Sequence, residues 1–227
     1  RVMLWATSDY LIIAFRGTLP AWRNIITDLK FKNYDDKNEE IKRNYSNLPG
    51  GHAGFRTVNR RLINEQDIFG RLKIFLAETY PGKDPKDIPI YMTGHSLGGG
   101  IASMFAEPMR FNGYSIKGMY FYAPPLAVTC ELRDSMNIKF PHTYNIIHYK
   151  DYIARAGLRG TLAHYGRFFR ICDDQTISEE PERYVKMNWK EKKNIYNYHK
   201  LAGYIDGIRH EKNNSKAVNG RKFDCFE

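Results

Sequence analysis

Ser96 stands between two glycines, in Gly94-His95-Ser96-Leu97-Gly98, directly after the apolar run Ile88 to Met92. A serine hydroxyl is a weak nucleophile until a base removes its proton, and that base needs a carboxylate to orient it. A G-x-S-x-G run supplies the first part of this chemistry when it forms a sharp strand-to-helix turn, which leaves no room for side chains at the flanking positions. Glycine and serine are common enough that five residues decide little alone. Their surroundings decide more. IPIYMT (88–93) reads as a buried strand, and LGGGIASMFAEPMRF (97–111) reads as a helix whose small first residues allow close packing on a sheet. Both requirements of a nucleophile elbow are met, which places Ser96 at the carboxyl end of a sheet, where open α/β folds bind ligands.

The partners of such a serine follow it in the order acid, then histidine. Asp151 comes immediately after the strand-like TYNIIHYK (143–150), the position an acid on the elbow's edge requires. Asp173 and Asp174, after GRFFRIC, are the fallback, and Asp134 is expected in a polar loop. With Asp151 as the acid, His142 and His148 precede it and drop out. His199 opens the last helical stretch, from which it can reach back over the sheet edge, and is preferred over His164 and His210. His164 lies close to the acid in sequence and reads as a structural hydrogen-bonder.

A tetrahedral intermediate also needs donors for its oxyanion. The N–H of Leu97, directly after the nucleophile, is one. The second should come from the end of an earlier strand, where YLIIAF (10–15) runs into Arg16-Gly17-Thr18. Thr18 there is either an oxyanion donor or an ordinary helix cap, and residue types alone leave the two even. No metal or cofactor enters this chemistry.

The elements that must position these residues alternate along the chain. VMLWA (2–6) and YLIIAF form a hairpin, and LPAWRNIITDL (19–29) has Trp22, Ile25 and Ile26 at helical spacing. Residues 30–54 form a charged surface loop. Helical periodicity runs from Phe55 to Tyr80, and strands are expected at 88–93, 116–123, 143–150 and 166–171. A final helix is expected at 198–208. Strands alternating with helices predict a single α/β domain with a mainly parallel sheet covered on both faces.

The chain has 227 residues, with 42% apolar and 14% aromatic residues, a composition that suits a packed core rather than disorder. No apolar stretch approaches the roughly 18 residues that span a bilayer. Cys130, Cys172 and Cys225 make an odd number at wide spacings, which predicts buried or free thiols and no metal site. The net charge is +10, and Arg183 to Lys222 holds eleven Lys/Arg against three Asp/Glu. That basic C-terminal third suits peripheral contact with an anionic membrane surface. Nucleic acid, resting on charge alone, is not expected. Residues 1–209 read as the folded domain and 210–227 as a basic, flexible tail. The chain opens at Arg1 without an initiator Met, so an upstream segment is expected to have been trimmed.

AFRGT (14–18), WRNIITDL (22–29), GHAGF (51–55), TGHSLGGGIA (93–102), FYAPP (121–125), IIHYKDYIAR (146–155) and YHKLAGY (198–204) resemble, in order, the class 3 or fungal-type lipases. The resemblance runs from about residue 2 to residue 207. It implies an α/β-hydrolase fold, a triad of Ser96, Asp151 and His199, and oxyanion donors at Thr18 and Leu97, which favours the donor role for Thr18. It also implies a mobile lid over 21–29, with Trp22, Ile25 and Ile26 on its apolar face, though ordinary core packing accounts for the same stripe. Family members are secreted or membrane-associated, acting on triacylglycerols or on diacylglycerols, phospholipids and feruloyl esters. This chain departs from them at Tyr122-Ala123-Pro124-Pro125, where the family has a Gly-Ala-Pro-Arg-type run, so Tyr122 is expected to narrow the acyl groove or shift a backbone turn. It also lacks the helical segment that family domains usually place before the first hairpin. The expected function is that of a serine ester hydrolase of acylglycerols. A phospholipase acting on anionic lipids is the alternative, and a non-catalytic lipid- or protein-binding module is the alternative from a different class.

Overall fold

The computed structural model describes residues 1–17, 50–155, 161–179 and 195–214. Seven strands form the main sheet in the order β1 (Val2–Ala6), β2 (Leu11–Phe15), β3 (Ile90–His95), β4 (Ile116–Tyr122), β6 (Thr143–His148), β8 (Arg167–Ile171) and β9 (Ile177–Glu179). The five inner strands run parallel, and β1 and β9 close the edges antiparallel. A small second sheet pairs β5 (Val128–Thr129) with β7 (Leu162–Ala163). The fold is that of an α/β-hydrolase, with helices on both faces of a mostly parallel sheet.

One face carries the main core. Leu11, Ile13 and Phe15 alternate inward from β2, joined by Ile90 and Met92 from β3 and by Met119 and Phe121 from β4. Against them pack α1 (Ala53–Asn64), α2 (Ile68–Thr79) and α3 (Leu97–Phe111) through Phe55, Leu72, Leu76, Met104 and Phe105. Each such fully buried side chain contributes about 1.5–3 kcal/mol. The long helical stretch expected from Phe55 to Tyr80 is two helices. The chain breaks at Asp67, which takes φ 44° and caps α2 through its carboxylate and the Gly70 N–H at 3.2 Å.

The opposite face is built of different residues. Tyr91, Tyr120, Tyr122 and Tyr144 point there, with Tyr120 stacked on Tyr144 at 5.0 Å. Tyr10, Tyr91, Thr93, Tyr120 and Tyr122 line a shallow cavity of about 460 Å³. Among the described residues, only the β6–β8 half of this face is sealed, by α6 (Leu201–Asn214), whose Tyr204 packs with Ala123, Ile146 and Ile171. On β1, Trp5 pairs with Ile12 and remains 70% exposed. The continuous apolar run of β2 thus serves one fully buried face and one half-open face.

Several elements escape sequence periodicity, the two-residue β5 and β7 among them. Helix α4 (Cys130–Lys139) buries only Met136, so it has no apolar stripe to read. Asp134 therefore sits on a helix, bonded to the neighbouring Arg133, and not in a loop. β9 is three residues long. The last helical stretch is two pieces, a short α5 (Ile195–His199) and α6, which continues to Asn214. Cys130 is a free thiol, but Cys172 is disulfide-bonded, contrary to the expectation of unpaired thiols. Cysteine spacing carries no information about which side chains the fold brings together. Among the described residues no helix is long and apolar enough to cross a membrane.

Candidate active site

The turn between β3 and α3 is as tight as the glycines imply. Ser96 takes φ 56° and ψ −129°, a conformation that costs a residue with a side chain about 1–3 kcal/mol. Surrounding contacts hold it there. Its N–H donates to the Tyr122 carbonyl at 2.9 Å, and its own carbonyl accepts the Gly99 and Gly100 N–H groups at 2.9 and 3.2 Å. A Cβ on Gly94 would lie 2.5 Å from the Gly98 carbonyl carbon, and one on Gly98 would overlap the Phe15 carbonyl oxygen. The helix therefore starts hard against the ends of β2 and β3 because neither glycine has a side chain.

Ser96 Oγ lies 2.7 Å from His199 Nε2, and His199 Nδ1 lies 2.7 Å from Asp151 Oδ2. The three residues are between 0% and 4% exposed. An ionised carboxylate only accepts, so Nδ1 carries the proton and Nε2 presents its lone pair to the serine hydroxyl. Asp151 follows β6, and its carboxylate is fully engaged. Oδ1 accepts the Ile153 N–H at 2.8 Å and the Ala154 N–H at 3.4 Å, while Oδ2 also accepts the Tyr204 hydroxyl at 2.6 Å. These donors replace the water that burial removes from the charge.

His199 closes α5 instead of opening the last helix, and its carbonyl accepts from His95 Nε2 at 2.8 Å. Burial, aided by the neighbouring His199 ring, pushes His95 down to about 4 and keeps it neutral. Neither His95 nor Tyr204 stands out in the sequence as a site residue. Each lies inside a quoted motif, and the usable signal is that a buried tyrosine or histidine must find a hydrogen-bond partner.

The other candidates are engaged elsewhere. Asp173 pairs with Lys150 at 2.6 Å and with Tyr149, and Asp174 accepts from Thr176 within a turn. His164 bonds the Pro124 carbonyl at 2.8 Å, and His210 is an exposed residue of α6. Leu97 is the first residue of α3, so its N–H, next to the serine, has no intrahelical acceptor. Gly17, at the end of β2, abuts the elbow, since a Cβ there would lie 3.6 Å from Ser96 Cβ. Thr18 and the lid residues Trp22, Ile25 and Ile26 lie outside the described residues. Tyr122 ends β4, and its carbonyl accepts the Ser96 N–H. Its ring is on the half-open face, edge-on to Tyr204 at 6.4 Å, and the turn is made by Ala123 at φ 48°. Among the described residues no group of three or more His, Cys, Asp or Glu is placed to hold a metal.

Comparison with solved structures returns fungal enzymes of the same fold. The lipase from Rhizopus microsporus var. chinensis is 20% identical with a TM-score of 0.59, over 89% of this chain and 67% of that one. The mono- and diacylglycerol lipase from Aspergillus oryzae is 22% identical with a TM-score of 0.59, over 87% and 69%. A mutant of MDLA from Penicillium cyclopium is 20% identical with a TM-score of 0.56, over 81% of this chain. The chain spans only 59% of the length of that last protein. A search of the curated proteins finds no significant match. The family model described as "Lipase (class 3)" matches residues 12–160, about two thirds of the chain, and the protein belongs to the class 3 lipase family.

Proposed function

We propose that the protein is a serine carboxylic-ester hydrolase that cleaves acylglycerols through an acyl-enzyme. The observation that carries this is His199, which bridges Ser96 and Asp151 at 2.7 Å on each side in a buried site. Ser96 Oγ attacks the ester carbonyl as its proton passes to His199 Nε2. Asp151 stabilises the resulting imidazolium and keeps its ring oriented. The carbonyl oxygen becomes an oxyanion, which accepts from the Leu97 N–H and, in this reading, from Thr18. The tetrahedral intermediate collapses as His199 returns the proton to the departing alcohol. Water then attacks the acyl-serine by the same route and releases the carboxylic acid.

Acylglycerols are favoured as substrates by family membership. The basic balance of the chain, +10 overall, supports a second reading in which anionic phospholipids are the substrate or the docking surface. The disulfide at Cys172 fits an oxidising compartment, consistent with a secreted or membrane-peripheral enzyme. A panel of triacylglycerol, diacylglycerol, anionic phospholipid and short soluble esters tests both readings. Hydrolysis of acylglycerols by the native protein and not by Ser96→Ala supports the first. Preference for the phospholipid supports the second, and turnover of none of the panel rejects both.

A further inference from the structure

We propose that His95, the residue immediately before the nucleophile, is a positioning residue that fixes the catalytic histidine by donating its Nε2–H to the His199 carbonyl. This rests on the ester-hydrolase reading above and adds a residue that the Ser-His-Asp chemistry does not itself require.

His95 is the last residue of β3. Side chains alternate along a strand, so its ring lies on the face away from α3, with Tyr91 and Thr93, while its backbone leads directly into Ser96. His199 is the last residue of the five-residue α5, and a helix-terminal carbonyl has no intrahelical donor. His95 supplies that donor at 2.8 Å. A carbonyl only accepts, so the imidazole must carry its proton on Nε2. Burial keeps the ring neutral, which leaves it a single N–H and commits that N–H to His199.

The two rings also pack against each other, with centroids 4.8 Å apart and planes at 38°. Tyr204 meets His95 edge-on at 5.8 Å while its hydroxyl holds Asp151. One strand end therefore fixes both partners of the proton transfer. Its backbone sets Ser96, and the side chain one residue earlier sets the segment that bears His199. The Ser96–His199 distance is thus defined within one rigid element, although the two residues lie 103 positions apart. An error of about 1 Å in such a contact costs on the order of 100-fold in rate.

The test compares three variants on a soluble p-nitrophenyl ester, with rates normalised to active sites titrated by a fluorophosphonate. His95→Phe keeps an aromatic ring and loses the donor. His95→Asn keeps polarity, but its amide is too short to reach. His95→Gln places an amide nitrogen near the position of the imidazole Nε2. The expected result is that Phe and Asn lower kcat by about 10- to 100-fold with KM nearly unchanged, while Gln stays within about threefold of the native enzyme. A role in folding alone would lower the titrated fraction of active protein and leave kcat per site intact. Native kcat in the Phe or Asn variant overturns the proposal, as does a Gln variant no better than Phe. Native protein that neither hydrolyses the ester nor takes the label sinks the hydrolase reading and the positioning role with it. An active native enzyme with an unimpaired Phe variant sinks the positioning role alone.

Discussion

On the Ser96 side of the Ser96–His199 contact, position is a matter of backbone shape, and on the His199 side it is a matter of side-chain hydrogen bonds. Ser96 is held where it is because Gly94 and Gly98 let β3, α3 and the end of β2 approach to distances no side chain permits. His199 sits on a short helix and is held by Asp151 at Nδ1 and by His95 at its carbonyl. Asp151 is held in turn by Tyr204 and two backbone N–H groups. The two halves are vulnerable in opposite ways. Steric placement fails when an atom is added, and hydrogen-bonded placement fails when one is removed.

Perturbations on the two sides should accordingly separate activity from stability. The largest effect is expected for Asp151→Asn, which leaves the imidazole in the wrong tautomer and should lower kcat by roughly 10³- to 10⁴-fold. Its KM and its fold, read by circular dichroism, should change little. Next comes Gly98→Ala, whose methyl group meets the Phe15 carbonyl oxygen. Overpacking of this kind costs about 1–3 kcal/mol, so here a lower melting temperature should accompany the loss of turnover. If Gly98→Ala lost activity with an unchanged melting temperature, the steric account of the elbow would be wrong.

A smaller effect is expected for Tyr204→Phe. It removes one of the donors to Asp151 Oδ2 and leaves the buried oxygen short of a partner, which costs about 1–2 kcal/mol, or roughly a tenfold fall in kcat. The smallest effect concerns pH. His52 and His95 are both pushed by burial to about 4, below the 6.5 of an unfolded chain. The unfolded state therefore takes up protons first as pH falls. Neither ring costs stability well above pH 6.5, and each lowers it progressively from there towards 4. Between 6.5 and 5.5 each contributes a loss of about 1 kcal/mol, a fall of a few degrees in melting temperature. A melting temperature that rises over that interval would contradict the burial of these rings.

The same contrast explains what the sequence made legible. The elbow is local. Five consecutive residues, a preceding apolar strand and the run Gly98-Gly99-Gly100 spell out both its turn and its close packing, so Ser96 is readable from residue types alone. Asp151 and His199 are readable only as positions after predicted strands and helices, with Asp173, Asp174, His164 and His210 as alternatives; the structure ties the first three to other partners and places His210 on the exposed side of α6. His95 and Tyr204 were not legible, because a hydrogen bond between residues 53 or 104 positions apart leaves no periodicity to detect. For the same reason α4, which buries one side chain, and the disulfide at Cys172 were missed. The half-open tyrosine face was not evident either, since the apolar run of β2 reads like a strand buried on both sides.

The proposed mechanism makes Ser96 a nucleophile activated by His199. Labelling with a fluorophosphonate, followed by mapping of the modified peptide, tests it most directly. A single adduct on Ser96 is expected, formed slowly in His199→Ala and absent in Ser96→Ala. Native protein that takes no label, or an adduct that persists in Ser96→Ala, would contradict it.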